Sequence, residues 1–344
     1  MGNHILKRLI PLLLLASCSE PYEERKLPNL SQSLVIEVLS DTRASQQLLV
    51  TQLLLETRKL NQLLQQGEQP DLELLRDQWT KAHDAFIRLN FFSLARIDTT
   101  RVDAWPIYEG FIDSLPGYPD SGIINDTTIE LSRASLLQQH GITANSEASI
   151  GFHPLEFMLF ARTDAHYLEP IRGDRRKNYL RIATTLLEDE VTLFVETHDR
   201  LYDDYLEQVN TNSQPEIQLL ILLSRLHFSI VSLFAEANQF QQTISGHGQR
   251  SGSTKSTLRA QLEQLQTISG PDTKLAGILK DISDEVSDEY QLTLERALAL
   301  IRNEMASDDE LTQLPLFVAA MGHQLEDFIR PLAPAEPDQD LLRL

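Results

Sequence analysis

Residues 31–66 read SQSLVIEVLSDTRASQQLLVTQLLLETRKLNQLLQQ, and this stretch indicates the fold class. Its apolar residues, among them Leu34, Val38, Leu60 and Leu64, recur at the spacing of one buried face of an α-helix. The whole chain of 344 residues contains only 14 glycines and 15 prolines, too few for the many tight turns of a β-rich fold. The sequence therefore predicts an all-α protein.

The helical pattern is interrupted near the middle of the chain, where Pro215 follows a polar stretch. This break predicts two packed helical bundles, an N-terminal one over residues 31–212 and a C-terminal one over residues 213–335. The two halves have similar lengths and helix content, which is compatible with an internal duplication. In the second half the spacing predicts helices over about 216–243, 255–268, 273–306 and 308–331. The first of these is apolar almost all round, which predicts that it is buried.

The N-terminus has the pattern of an export signal. The basic pair Lys7 and Arg8 precedes the apolar run 9–16, which is too short to span a bilayer. The run ends Leu-Ala-Ser-Cys, which resembles a bacterial lipobox, and Cys18 is the single cysteine of the chain. The sequence therefore predicts a signal peptide over residues 1–17 and a lipidated Cys18 as the mature N-terminus.

The residues after the lipobox predict where the protein is held. Ser19 stands where an aspartate would signal retention in the inner membrane, so by resemblance to lipoprotein sorting rules the outer membrane is favoured. Residues 19–30 are polar and contain prolines, which predicts a tether. We expect a periplasm-facing protein of the cell envelope, anchored by lipid. The net charge of −20 argues against a nucleic-acid partner.

Residues 151–160 read GFHPLEFMLF and contain the pattern G-x-H-x-x-E. Residues three apart on a helix share a face, so His153 and Glu156 could supply a nitrogen and an oxygen ligand to a divalent metal. A second interpretation stays open, because Pro154 favours the first turn of a helix. His153 would then be the N-cap and Glu156 a capping residue of the same helix.

The irregular segment 98–122 contains carboxylates that could complete a metal shell. Asp103 and Glu109 are the favoured candidates because they flank Trp105 and Pro106, which stiffen the chain. Trp105 itself is predicted to line a binding cleft. Two further acids of the segment, which are ordinary candidates for helix caps or solvated loop positions, are Asp98 and Asp113.

The remaining histidines have less specific surroundings. His83 lies on an apolar helix face, where it is either a core residue or part of the cleft. His227 is predicted to be a core residue, and His247, in a loop rich in Gly and Ser, is predicted to be exposed. His323 and Glu326 repeat the H-x-x-E spacing, either as a duplicated second site or, as we favour, on the polar side of an amphipathic helix.

The chain resembles the imelysin family, also named peptidase family M75, most specifically at residues 151–160. It is similar more loosely at Trp79 and at residues 103–106, Asp-Ala-Trp-Pro, and the resemblance extends over about residues 30–335. The resemblance implies two helical bundles with the His-Glu motif at a cleft, divalent-metal binding with iron or zinc as cofactor, and a role in metal uptake beside a partner protein. The C-terminal half lacks the Gly-Phe-rich, acidic motif of iron-regulated members, so its substrate could differ.

Three functions therefore stay open. The favoured one is an exported, lipid-anchored protein that binds a divalent metal, or a ligand carrying one, for uptake or sensing. The second is a zinc metallopeptidase, although no H-E-x-x-H motif is present and Phe157 stands where the inverted motif H-x-x-E-H needs a histidine. The third is a metal-free binding scaffold in which Glu156 only caps its helix.

Overall fold

The computed structural model describes residues 30–66, 69–94, 97–211, 214–242 and 247–332, except for the side chains of residues 241, 242 and 308. In these ranges the fold is all-α as predicted, and the only β-type contact is an isolated bridge between Leu115 and Tyr118. The predicted signal peptide, Cys18 and residues 19–29 of the predicted tether lie outside the described residues.

The helices begin mostly where the sequence offers a cap. Ser31 accepts a hydrogen bond from the backbone N–H of Leu34, and Asp71 accepts one from Leu74. The helices are α1 Gln32–Gln65, α2 Leu72–Phe91, α3 Thr100–Asp103, α4 Arg133–Gln139, α5 Phe152–Phe160, α6 Asp164–Leu168, α7 Arg172–Thr211, α8 Pro215–Gln242, α9 Thr254–Ser269, α10 Lys274–Ile282, α11 Asp284–Arg302, α12 Asp308–Leu311 and α13 Leu314–Ile329. Glu109–Phe111 and Arg330–Leu332 are short 3-10 helices.

Two predicted helices are each divided in the structure, and the one over residues 308–331 becomes α12 and α13. The sequence predicted a single helix over residues 273–306, but the structure breaks it at Ser283. The backbone N–H of Ser283 bonds to Leu279 at the end of α10, and its side-chain oxygen accepts from Val286 at the start of α11. One serine therefore ends one helix and begins the next, which the unbroken apolar periodicity conceals.

The buried apolar residues form two cores. The first core lies between residues 50 and 195, with Ala260 added from α9. The second combines residues 219–332 with residues 30–39 and 91–94 and with Tyr202 and Val209 of α7. Because the start of α1 and the end of α7 pack in the second core, both long helices run through both bundles. The boundary predicted near residue 213 lies between the end of α7 and the start of α8, whereas the second core also includes residues of α1 and α7.

Among the described residues, one helical segment, Pro215–Phe240 of α8, is long and apolar enough to cross a membrane. It also contributes Leu219, Leu226 and Leu233 to the second core. The prediction that α8 is buried all round is corrected on one side, because Phe228 is 62% exposed. The helix is therefore a core helix with one exposed apolar edge.

Candidate metal centre

The G-x-H-x-x-E motif begins α5 through an unusual glycine conformation. Gly151 has a φ of 109°, and a Cβ on it would lie 2.8 Å from the carbonyl oxygen of Val102. The glycine therefore allows the start of α5 to lie directly against α3. Because the helix already begins at Phe152, His153 is its second residue, and the predicted N-cap role of His153 is wrong.

This close approach brings four side chains together. We call the group of His83, Asp103, His153 and His247 the buried cluster; one ligand atom from each lies within 4.8 Å of every other. Asp103 is at its centre. Its Oδ1 lies 3.1 Å from Nε2 of His153 and 3.5 Å from Nε2 of His83, and its Oδ2 lies 3.3 Å from Nε2 of His247.

Each member of the buried cluster comes from a different element, namely α2, α3, α5 and the loop before α9. The side chains are 2%, 10%, 0% and 11% exposed, in the order of the chain. His247 is thus enclosed, and the prediction that it is solvent-exposed is wrong. The physical reason is that its loop is held against the first bundle: Nε and Nη2 of Arg250 each donate a hydrogen bond to the carboxylate of Glu109 at 2.7 Å.

Glu156 stands behind His153 in the structure. Its Oε2 lies 2.8 Å from Nδ1 of His153, and its Oε1 accepts hydrogen bonds from the backbone N–H and the hydroxyl of Ser251 at 2.8 and 2.7 Å. The cap interpretation is therefore wrong, because the bonded N–H belongs to another loop. Glu156 is not placed as a direct ligand of the cluster either. Its carboxylate, bonded to Nδ1 of His153, fixes the tautomer of this histidine and turns Nε2 of the ring toward the buried cluster.

Three ring nitrogens and one carboxylate oxygen are placed for a shared partner. Nε2 of His153 lies only 2.8 Å from Nε2 of His247. Nε2 of His83 and Oδ1 of Asp103 are buried and form no well-aligned hydrogen bond within the described part of the chain. An unpaired buried polar atom is costly, and an ion held between these atoms would satisfy all of them.

The carboxylates and imidazoles in and beside the buried cluster stabilise one another's charged forms. Burial opposes ionisation of Asp103, but the imidazoles of His247 and His153 hold its pKa well below the usual value. Burial likewise opposes the imidazolium of His153, but the Asp103 and Glu156 carboxylates raise its pKa to about 9. Burial lowers the pKa of His83. The hydrogen bonds to Glu156 overcome the effect of its burial and lower its pKa to about 2.

Two tryptophans form apolar walls. His83 stacks on Trp79 with ring centroids 4.6 Å apart, and Trp79 donates its indole N–H to the carbonyl of Phe152. The ring of Trp105 lies 4.7 Å from that of His153, so this predicted cleft residue borders the cluster. Both contacts restrict how the imidazoles can turn, and they lower the local dielectric constant.

Glu236 is a further acid that the sequence analysis missed. It lies on α8, its Oε2 accepts a hydrogen bond from the side-chain amide of Gln261 at 2.9 Å, and burial raises its pKa. Its charge interacts with those of His247, Asp103 and His153. An acid on an otherwise apolar helix was the available signal, because an acid there needs a polar partner.

The other predicted carboxylates lie elsewhere. Glu109, a favoured ligand candidate, is paired with Arg250 and is not in the buried cluster. Asp98 caps the backbone N–H of Thr100, and Asp113 is buried between Arg162 and Arg176. Of the acids in the irregular segment, Asp103 is thus the one beside His153.

His227, His323 and Glu326 form a separate group on the surface. Nε2 of His227 on α8 lies 3.3 Å from Oε1 of Glu326, and Nδ1 of His323 lies 3.5 Å from Oε2 of Glu326. The prediction that His227 is a core residue is wrong, since its side chain is 27% exposed. The side chain of His227 faces Glu326 of α13 at the surface instead of the core.

The donor atoms of the buried cluster fit a transition-metal ion. Three imidazoles and one carboxylate are ligands that Zn²⁺ and Fe²⁺ accept, and four donors are the usual number for zinc. The carboxylate on Nδ1 of His153 is the partner that such histidine ligands ordinarily have. The negative charges of Asp103 and Glu156 in this enclosed site also favour a cation.

Comparison with known proteins gives one family and a consistent fold. The family model Peptidase_M75, described as imelysin, matches residues 44–326. No curated protein sequence matches the chain.

Two solved structures share the fold. An imelysin-like protein from Psychrobacter arcticum 273-4 is 16% identical, with a TM-score of 0.67, over 88% of this chain and 97% of that one. A protein from Parabacteroides distasonis ATCC 8503, described as an iron-regulated protein A precursor, is 12% identical, with a TM-score of 0.64, over 92% and 97%. At these identities the similarity is one of fold.

Proposed function

The chain belongs to the imelysin family, as residues 151–160 predicted, and we propose that it binds a divalent transition-metal ion in the buried cluster for uptake or sensing at the cell envelope. The single observation that carries the proposal is the convergence of Asp103 with three imidazoles in an enclosed site. Iron and zinc are the metals that this donor set favours.

The donor count supports binding in preference to hydrolysis. A catalytic zinc keeps one coordination position for water or substrate, whereas four protein donors close a tetrahedral shell. Glu156, the acid closest to the motif histidine, has both oxygens bonded to His153 and Ser251, so it is not placed as a free general base. A peptidase would need one donor to leave the ion.

The place of action in this proposal depends on the N-terminal residues. Export and lipidation at Cys18, with residues 19–30 as a tether, would hold the bundles at the periplasmic face of the outer membrane. There the protein would receive a metal ion, or a ligand carrying one, and pass it to an uptake partner. The net charge of −20 favours the approach of cations.

Metal analysis of protein purified without chelators tests the binding step. We expect about one equivalent of iron or zinc in the natural protein and loss of most of it in Asp103→Asn, because this substitution removes the central negative charge while keeping the shape. The matched control is Glu109→Gln, which removes one carboxylate from the same segment but outside the cluster. Equal metal content in the two variants would contradict the proposal.

Cys18 provides the test of location. In cells the natural protein should fractionate with the outer membrane, and Cys18→Ala should leave an uncleaved or soluble species. An unmodified mature N-terminus at another residue would rule out the lipid anchor, without affecting the metal site.

A further inference from the structure

The surface group formed by His227, His323 and Glu326, which we call the surface triad, has the composition of a second metal site. His323 and Glu326 are one turn apart on α13, and His227 reaches them from α8, which packs against α13. The imidazole of His227 lies close to the glycine that precedes His323. A Cβ on Gly322 would lie 4.0 Å from Nε2 of His227, so the imidazole lies across the glycine.

The side chains of the surface triad lie close together but form only long contacts. Each oxygen of Glu326 faces a different imidazole nitrogen, at 3.3 and 3.5 Å, and neither pair meets the geometry of a hydrogen bond. Two imidazole nitrogens therefore lie within 3.5 Å of one carboxylate, without being aligned on it. The side chain of His323 is 80% exposed, so it can rotate to bring its nitrogen within coordination distance of an ion.

We propose that the surface triad binds a second divalent transition-metal ion, of the zinc, copper or nickel type, that cross-links α8 and α13. Two imidazoles and a carboxylate are borderline ligands that suit these ions, and three protein donors leave positions for water. The cost of immobilising an exposed histidine makes this site weaker than an enclosed one. Exposure also makes it accessible to a metal held by another molecule.

The surface triad is independent of the buried cluster. His227 is nine residues from Glu236 on α8, which separates the two places by about 14 Å along the helix and puts them on opposite sides of it. Loss of either site should therefore leave the other intact. The proposal does not require that the buried cluster bind metal.

Calorimetric titration of the metal-stripped, mature protein with Zn²⁺ tests the proposal. We expect a tight phase from the buried cluster and a weaker phase from the surface triad. Glu326→Gln should abolish the weaker phase alone. The matched control is Asp327→Asn, the adjacent acid of α13, which is paired with Arg330 and should leave both phases unchanged.

His323→Gln is the second variant, and it should also remove only the weaker phase. All three positions are partly exposed, so the variants should retain the circular-dichroism spectrum and melting temperature of the natural metal-free protein. Absence of a weaker phase in the natural protein, or its equal loss in Asp327→Asn, would overturn the proposal. A weaker phase without a tight one would support the surface triad and overturn the buried metal site.

Discussion

The chain contains the spacing H-x-x-E in two helices, and the two occurrences have opposite surroundings. His153 and Glu156 are 0% and 1% exposed at the start of α5, whereas His323 and Glu326 are 80% and 49% exposed in α13. At the first place the carboxylate bonds the histidine at 2.8 Å and the other nitrogen faces three further ligands. At the second place the same spacing gives a loose contact with one additional histidine. Spacing alone therefore does not define a site; the elements that enclose it do.

The largest expected difference between the two motifs is in proton binding. The pKa of His153 is raised to about 9, so the folded, metal-free protein holds this proton more tightly than the unfolded chain, whose histidines titrate near 6.5. The resulting stabilisation is complete below pH 6.5 and is lost as the pH rises through about 9. We expect the free energy of unfolding to fall by about 3 kcal/mol across this window, measured by urea unfolding with a chelator present.

Two variants isolate that effect. His323→Gln, in the exposed motif, should keep the full pH dependence, whereas His153→Gln should remove most of it. Burial also raises the pKa of Glu236, so its ionisation acts in the same direction, and Glu236→Gln measures its share. A bound metal replaces the proton of His153, so saturation with Zn²⁺ should flatten the curve. A flat curve for the natural metal-free protein would contradict the charged state of His153.

The sequence predicts the helices well because their buried faces are local patterns. The apolar spacing in α1 and the caps Ser31 and Asp71 are visible without any tertiary information. The break between α10 and α11 was missed because Ser283 acts through two local hydrogen bonds that leave the periodicity intact. A cap within a continuous apolar pattern carries no strong signal of its own.

The site was predicted only as far as neighbouring residues determine it. His153 and Asp103 were candidate ligands. The choice of Asp103 over Glu109 could not be predicted, because it depends on the ion pair that Glu109 forms with Arg250, which is distant in sequence. His247 was assigned to solvent because a loop rich in Gly and Ser is usually exposed. Its actual position depends on contacts between that loop and the first bundle, and such contacts have no counterpart in local composition.

The next difference concerns the carboxylates of the two motifs. We expect Glu156→Gln to weaken metal binding at the buried cluster about 10- to 100-fold, because a neutral amide holds the Nδ1–H of His153 less strongly and makes its Nε2 less basic. Glu326→Gln should leave that affinity unchanged. Competition of Zn²⁺ between the protein and a chelating dye measures both dissociation constants.

The bound stoichiometry separates the possible roles of Glu156. A variant that still binds one equivalent, but more weakly, has lost an orienting group. Complete loss of binding in Glu156→Gln would instead indicate that Glu156 is itself a ligand, as the sequence analysis first expected. In that case the carboxylate would have to leave Ser251 when the ion enters.

The last difference concerns the glycines that precede the two histidines. Gly151 has a φ of 109°, and a Cβ there would lie 2.8 Å from the Val102 carbonyl, so Gly151→Ala should destabilise the protein by about 1–3 kcal/mol. Gly322 is inside α13, and its added Cβ would make only ordinary contacts at 3.7 and 4.0 Å. Gly322→Ala should therefore stabilise the protein by up to about 1 kcal/mol, because glycine is a poor helix former.

Thermal unfolding of the two alanine variants without metal, followed by Zn²⁺ titration, measures the effect of each glycine on stability and on the affinity of the buried site. Gly151→Ala must push the start of α5 away from α3, which carries Asp103, so it should weaken the buried site as well as the fold. Gly322→Ala should raise the melting temperature and leave the buried site unchanged. If Gly151→Ala did not destabilise the protein, the close approach of α5 to α3 would not depend on Gly151, and the enclosure of His153 would need another cause.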